Sequence, residues 1–417
     1  MAVYPSDFYG KISVKRGLIE KLAYMQLLES TSLDHYRKPV CGPVRPLQQA
    51  ATDGGLGVKR LAAFTVYMVR GYSVAYKPSD TGENMPLGEE IYADLGVLIP
   101  PSREETRISI YRDIAEIWSA VKILDVMDNS GVYLGDGSIV SLIVEPVVYR
   151  MLRSTERHPI KCINERIDLN VLELESIKEP LASRRLLGVD EASAVRGSGN
   201  LLLRGDRELG DCALYLEFIE KTVLLRRLLV KAWEKNIIPI FISKSSRTSF
   251  LYNHDLYTDV FLIQLADPME PGYFYNPERV SVSGDIEGHL WRLLEKGTIS
   301  SLDLFPENVL GLADFYSRLN VLRFYVRLAF DAPVLRVEVP FSSGELEGMS
   351  KEELSKNMET IISSVSRELV GLELTDGYPM ILKIVHERSK ITANEAAILF
   401  GSLGLQARHG SREVLGE

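Results

Sequence analysis

Asp53-Gly54-Gly55 and the apolar run behind it, Leu61-Ala-Ala-Phe-Thr-Val-Tyr-Met-Val-Arg-Gly-Tyr-Ser-Val-Ala-Tyr76, set the reading of the whole chain. The run is rich in β-branched and aromatic residues and predicts a long strand over 59–76. A carboxylate followed by two glycines allows a tight turn and lets a substrate or metal approach the backbone closely. Asp and Gly are also ordinary turn residues, so the triplet alone reads first as a turn before the strand. A second acid–glycine pair, Asp136-Gly137-Ser138, lies in another strand-like run. The repetition asks whether both carboxylates face one site.

Working outward, residues 8–30 place Ile12, Leu18, Ile19, Leu22, Met25 and Leu28 close to helical spacing, an amphipathic helix for packing on the body or on a second copy. A Pro- and Gly-punctuated loop over 39–55 precedes the first strand. A polar turn over 77–84 leads to a strand over 91–99. Pro100-Pro101-Ser102 then opens a helix over 103–125, with Ile108, Ile110, Ile114, Trp118, Val121 and Ile123 on its buried side. Residues 131–143 read as a strand whose central glycines mark a bend. The segment 150–210 is charged and mixed. A helix over 211–235 leads into the buried strand 237–242, and 321–328 with 334–339 form a strand pair. Helix 351–369 has a capping-box start, Ser350 with Glu353. A last helix starts at Pro379, where proline suits the first helical position. Strands first, then helices interleaved with returning strands, predict an α/β fold with a mixed central sheet flanked by helices.

A chain of 417 residues buries a large core, and 46% hydrophobic with 25% charged residues is ordinary for a globular protein. No apolar run is long enough to span a bilayer and no secretory leader opens the chain, so the expected location is cytoplasmic, with no membrane partner. Cys41, Cys162 and Cys212 are scattered without a CxxC pair, which points to neither a disulfide framework nor a zinc knuckle. The net charge of −9 argues against a protein that coats nucleic acid by bulk electrostatics. A nuclease stays open, because carboxylates gathered at a metal site add negative charge that divalent ions cancel.

Phosphodiester hydrolysis with two metals needs several carboxylates converging on ions roughly 3.5–4 Å apart. Asp53 and Asp136 would come from strands, and Glu116 from the helix over 103–125, with Arg112 one turn earlier on the same face and Asp113 as the rival carboxylate. Oxygen ligation selects hard ions, magnesium or manganese, over zinc. Lys244 follows the strand 237–242, where open α/β sheets place ligand-binding groups, and a lysine there meets a phosphate as a point charge; taken by itself it reads first as a solvated loop lysine. His386 lies two turns into the last helix, with Tyr378 just before it. It could ligate a metal, protonate a leaving oxygen, or serve as a half-buried structural histidine beside Ile384 and Val385.

Asp53-Gly-Gly, Arg112-x-x-x-Glu116, Leu134-Gly-Asp136-Gly-Ser, Ile242-Ser-Lys244-Ser-Ser, Leu335-Arg-Val-Glu338-Val-Pro340 and Gly377-Tyr378-Pro379 with His386 occur in an order and spacing that resemble the NurA nuclease family of archaea and some bacteria. The resemblance spans 53–386. It implies an RNase H-like core, a ring-shaped homodimer, manganese-dependent (with magnesium as the alternative ion) nuclease activity on single- and double-stranded DNA ends, and partnership with a HerA-type hexameric translocase in DNA end resection. It further implies 5′–3′ exonuclease action with endonuclease activity beside it. By motif match, Asp53, Glu116 and Asp136 carry over as metal ligands and Tyr378 and His386 as active-site residues, with His386 also a candidate ligand. Arg112 and Lys244 are candidate substrate contacts, Lys244 by position alone. The expected organisation is a helical segment over 1–50 as a dimer contact, the first part of the core over 51–149, a largely helical insertion over 150–235, and the rest of the core over 236–417. The basic residues of that insertion (Arg150, Arg153, Arg157, Lys161, Arg226, Arg227 and Lys231) could line a DNA path or form a solvated face. The rival reading is a non-catalytic adaptor on the same fold that guides DNA through a motor, and a third is an enzyme acting on RNA–DNA hybrids.

Overall fold

A computed structural model describes residues 37–38, 48–61, 64–78, 84–99, 101–143, 147–148, 178–181, 183, 207–244, 258–266, 270–275, 311–342 and 351–403. Within these, one sheet runs through β1 (Arg37–Lys38), β2 (Gln49–Arg60), β3 (Thr65–Pro78), β4 (Asn84–Val97), β5 (Gly131–Asp136), β6 (Ile237–Ser243), β7 (Gly272–Phe274), β8 (Leu319–Arg327) and β9 (Leu335–Ser342). Its spatial order is β1-β7-β8-β9-β6-β5-β2-β3-β4. The strands β2, β5 and β6 are mutually parallel, and every other pairing in the sheet is antiparallel. The α/β architecture with a mixed central sheet is therefore as expected.

Helices cover both faces. On one side lie α1 (Glu104–Val126) and α3 (Arg207–Glu234), packed in a single cluster with Ala50, Tyr67, Val69, Tyr133 and Phe241. On the other lie α6 (Lys351–Val370) and α7 (Met380–Ser389). Here Met358, Ile362, Val365 and Leu369 recur at helical spacing and meet Val74, Leu134, Ile242 and Val337. Alternation of side chains along each strand thus feeds two cores at once. Short helices α2 (Ile139–Ile143), α4 (Asp259–Ala266) and α5 (Leu312–Ser317) join these elements. A further helix, α8 (Ala393–Ser402), follows the one expected to be last; Thr392 caps it by accepting from Glu395 N–H.

Ion pairs set the register of α1 on α3. Arg103 meets Asp211 at 2.7 Å, Arg107 meets Glu217 at 2.7 Å, and Asp113 meets Lys221 at 3.4 Å. The numbers rise together along both helices, so the two run in the same direction. The middle pair is wholly buried, and Tyr111 adds its hydroxyl to Glu217 at 2.6 Å. Past the end of α1, the Lys235 ammonium donates to the carbonyls of Leu124 and Met127 at 2.6 and 2.8 Å, which satisfies acceptors that a helix end leaves open.

Three further expectations change. The triplet Asp53-Gly54-Gly55 is not a turn before a strand but lies inside β2, and the expected strand over 59–76 falls on two strands, the end of β2 and most of β3. The glycines serve closeness rather than turning. A Cβ on Gly55 would stand 2.0 Å from the Ser389 carbonyl oxygen of α7, and one on Gly71, the cross-strand partner of Gly54, 2.0 Å from the Ala115 carbonyl oxygen of α1. Next, the expected strand 131–143 ends at Asp136, and Ile139–Ile143 form α2, because Gly137 at φ 113° breaks the strand and Ser138 accepts from Ser141 N–H. Finally, Cys212 at the start of α3 is disulfide-bonded, which the scattered cysteines gave no reason to expect. The helix expected over 8–30, the capping residue Ser350 and most of 150–206 lie outside the described residues. Among the described residues no helix is long and apolar enough to cross a membrane.

Placing a methyl group at residue 71 forces β3 off α1. We expect Gly71→Ala to lose at least the roughly 1–3 kcal/mol typical of an overpacked core, read as a lower urea midpoint; an unchanged midpoint would contradict the close packing described.

Candidate metal centre

The parallel pairing of β2 and β5 sets Thr52 opposite Gly135. The next residue on each strand is a carboxylate, so Asp53 and Asp136 stand side by side and leave the sheet on the α7 face. Asp136 ends β5. The chain then turns at Gly137, whose N–H donates to the Ile242 carbonyl at 2.8 Å and ties this turn to β6.

Helix α7 closes the site from above. His386 Nδ1 lies 2.8 Å from Asp53 Oδ2, and Ser389, three residues on and so on the same helical face, donates its hydroxyl to that oxygen at 3.0 Å. The other oxygen, Oδ1, accepts from Gly54 N–H at 2.8 Å. Asp53 is therefore held at both oxygens. Asp53, Asp136 and His386 each present a ligand atom within 4.8 Å of the other two.

Tyr378 and Lys244 flank Asp136. The hairpin of β10 (Leu374–Thr375) and β11 (Tyr378–Pro379) turns through Asp376 and Gly377, both at positive φ, the backbone that an Asp-Gly pair favours in a two-residue hairpin. It delivers the Tyr378 hydroxyl to Asp136 Oδ1 at 3.2 Å. Lys244, just past β6, sets its ammonium 3.9 Å from Asp136 Oδ2 and 4.0 Å from the centre of the Tyr378 ring.

Glu116 and Asp113 take different places. Asp113 is engaged by Arg112 at 2.7 Å and Lys221 at 3.4 Å. Glu116 instead lies against β2: its Oε2 would be 3.0 Å from a Cβ on Gly54, and the Arg112 stem crowds the same spot at 2.8 Å. Glycine at 54 lets a buried carboxylate reach the strand beside Asp53. Glu116 does not join Asp53, Asp136 and His386 in the close ligand cluster, but it shares their field.

That field is strained. Burial first, then the Asp53 charge, push the Glu116 carboxyl well above the usual range; Asp113 and Asp136 add to this and Arg112 opposes it. Burial likewise raises Asp136, with Asp53 adding and Lys244 opposing. Burial and Asp136 raise the Tyr378 phenol. Crowded carboxylates that resist ionisation are what a divalent cation would relieve, and two carboxylates with an imidazole form a donor set suited to manganese. The residues present fit such an ion.

Two features escaped the sequence reading. Ser389 follows His386 at i+3, a spacing that could have drawn notice. Glu338 was quoted without a role. It is buried and accepts from Ser138 Oγ at 2.7 Å and Arg323 Nε at 3.1 Å, with Arg336 Nε 3.5 Å away. Burial alone would raise this carboxyl, but Arg336, Arg323 and the Ser138 hydroxyl outweigh it and hold Glu338 below the usual range. Arginine and glutamate two apart in a strand share a face, a sequence signal of a buried pair.

Fold and site together define a mixed α/β protein with a candidate acidic metal centre where β5 ends beside the middle of β2. The chain belongs to the NurA domain family, whose model matches residues 47–391. It is similar in structure to the NurA nuclease from Sulfolobus solfataricus (18% identity, 97% of both chains, TM-score 0.59). A crystal structure of NurA with manganese is similar at 15% identity over 94% of this chain and 98% of that one, TM-score 0.56. Another crystal structure of NurA is similar at 13% identity over 96% and 98%, TM-score 0.53. At these identities the likeness is one of fold. No curated protein matches the chain.

Because the folded state raises the Glu116 pKa, ionising Glu116 costs the fold. The fold loses stability as pH climbs from the ordinary glutamate pKa of about 4.3, where the unfolded chain ionises while folded Glu116 stays protonated, and the loss is complete above the raised value. In EDTA, Glu116→Gln should therefore melt above the native protein at neutral pH, with the gap closing toward pH 4; a variant that melts lower throughout would contradict the crowding.

Proposed function

We propose that the protein is a metal-dependent deoxyribonuclease that hydrolyses phosphodiester bonds at DNA ends. The observation that carries this reading is the side-by-side pair Asp53 and Asp136 on parallel strands with His386 in ligand reach. Asp53, Asp136 and His386 hold the ion, with Glu116 as a further ligand from the other side of β2. Manganese, which a similar NurA structure carries by its description, is the expected ion, with magnesium as the substitute. When bound, a divalent ion supplies Lewis acidity toward a phosphoryl oxygen and lowers the pKa of a water.

The chain's own groups do the rest. Tyr378 and Lys244 fix Asp136 from two directions, and Lys244, half exposed, neutralises charge that develops on the scissile phosphate. Arg112, held by Asp113, offers a second cation to the substrate. His386 is held in place as a ligand by its Nδ1 contact with Asp53.

The same reading extends to assembly and setting. The order β4-β3-β2-β5-β6, with β3 antiparallel and α1 and α3 in the crossovers, supports an RNase H-like core built from 51–149 and 236–417, to which the inserted 150–235 contributes α3 as the second crossover helix. Membership of the NurA family supports a homodimer, with 1–50 as a dimer contact, working with a HerA-type hexameric translocase in cytoplasmic DNA end resection during double-strand break repair. Cleavage is expected to run 5′ to 3′, with endonuclease activity beside it.

End-labelled linear DNA incubated with manganese, with magnesium and with EDTA tests the proposal. Cleavage should need the metal, and Asp53→Ala or Asp136→Ala should reduce it by more than the ~100-fold that loss of an outer-shell partner costs. A protein that cleaves nothing with either metal, even alongside a HerA-type motor, is instead the DNA-guiding adaptor.

A further inference from the structure

The proposed reaction gives no role to strand β9, yet β9 carries a buried carboxylate, Glu338, paired with two arginines and a serine. Glu338 faces Arg323 across the β8–β9 pairing, and Arg336 faces Ser243 across the β6–β9 pairing. The two sides of this small cluster each reach a loop of the candidate metal centre. Glu338 Oε2 takes the Ser138 hydroxyl at 2.7 Å, and Ser138 lies two residues after Asp136. Arg336 Nη2 donates to Ser243 Oγ at 3.4 Å, and Ser243 immediately precedes Lys244.

We propose that Glu338 is a positioning residue for metal uptake: from the opposite face of the sheet it locks the turn bearing Asp136 and, with Arg336, the strand end bearing Lys244. The inference rests on the metal-site reading above. Gly137, between Asp136 and Ser138, sits at φ 113° with nothing within 4 Å of where its side chain would be, so no side-chain packing fixes the glycine itself. Two hydrogen bonds tie this turn to the neighbouring strands: Gly137 N–H to Ile242, and the charge-assisted bond from Ser138 to Glu338. Releasing the second leaves Asp136 on a turn hinged at a glycine. A buried carboxylate with two arginines is often replaceable by apolar residues without loss of stability, so its reach into both loops is better explained by geometry than by stability. Tightly held ligands lose less freedom on binding an ion, and outer-shell partners commonly shift metal affinity.

The test uses Ser138→Ala, which removes one hydroxyl and spares the ion pairs, together with Ser138→Thr, which keeps a hydroxyl. Mn2+ is titrated calorimetrically into each full-length protein without DNA, and thermal unfolding is recorded in EDTA. Ser138→Ala should bind Mn2+ roughly 10-fold more weakly, and Ser138→Thr should recover native affinity. A native affinity in Ser138→Ala, with or without a lower melting temperature in EDTA, overturns the inference and leaves Glu338 a purely structural residue. A native protein that takes up no Mn2+ overturns the metal-site reading itself and this inference with it.

Discussion

The parallel pairing of β2 with β5 is the constraint on which the rest depends. Its register puts Thr52 opposite Gly135, and hence two carboxylates next to each other at the point where β5 ends. Neighbouring strands lie about 4.8 Å apart, so two aspartates there repel whenever both are ionised. The surroundings answer that repulsion unevenly. Asp53 is bound at both oxygens by Gly54, Ser389 and His386, while Asp136 has Tyr378 and the more distant Lys244. Glu116, on the other face, receives the least relief. A fold does not gather such groups cheaply, and the proposed cation is what would relieve them.

Glycines and buried ion pairs divide the work of holding that register. Gly55 and Gly71 let α7 and α1 touch backbone on opposite faces of the same hairpin, which brings His386 and Glu116 to the level of Asp53. Arg107 with Glu217, and Asp113 with Lys221, then fix how far along α3 the helix α1 can slide. Breaking a buried pair leaves an uncompensated charge, so each pair acts more as a specification of register than as a source of net stability. On the far side, Glu338 and its arginines tie β8, β9 and β6 to the turn after Asp136. The site is thus supported from both cores rather than built on loops alone.

Much of this was legible from the residues, and the gaps have physical causes. Strand and helix periods located β6, β8, β9, α1, α6 and α7 to within a few residues, because long amphipathic or wholly apolar segments carry strong signals. Asp53-Gly54-Gly55 misled because a glycine that permits a turn and a glycine that permits close approach look the same in sequence; only the partner strand and two distant helices separate them. Ile139–Ile143 was too short for periodicity to tell helix from strand. Glu116 and Asp113 lie three apart on one helix, so spacing could not choose between them. What distinguishes them is Lys221, 108 residues from Asp113. Long-range charge pairing of that kind leaves no local trace.

The most direct test of the account is where manganese binds. A crystal soaked in MnCl2 and measured for anomalous scattering should show a peak in contact with the carboxylates of Asp53 and Asp136, lost in Asp136→Ala. A peak confined to other acidic groups, or none at all at millimolar manganese, would contradict the claim that these two strands meet to hold a metal ion.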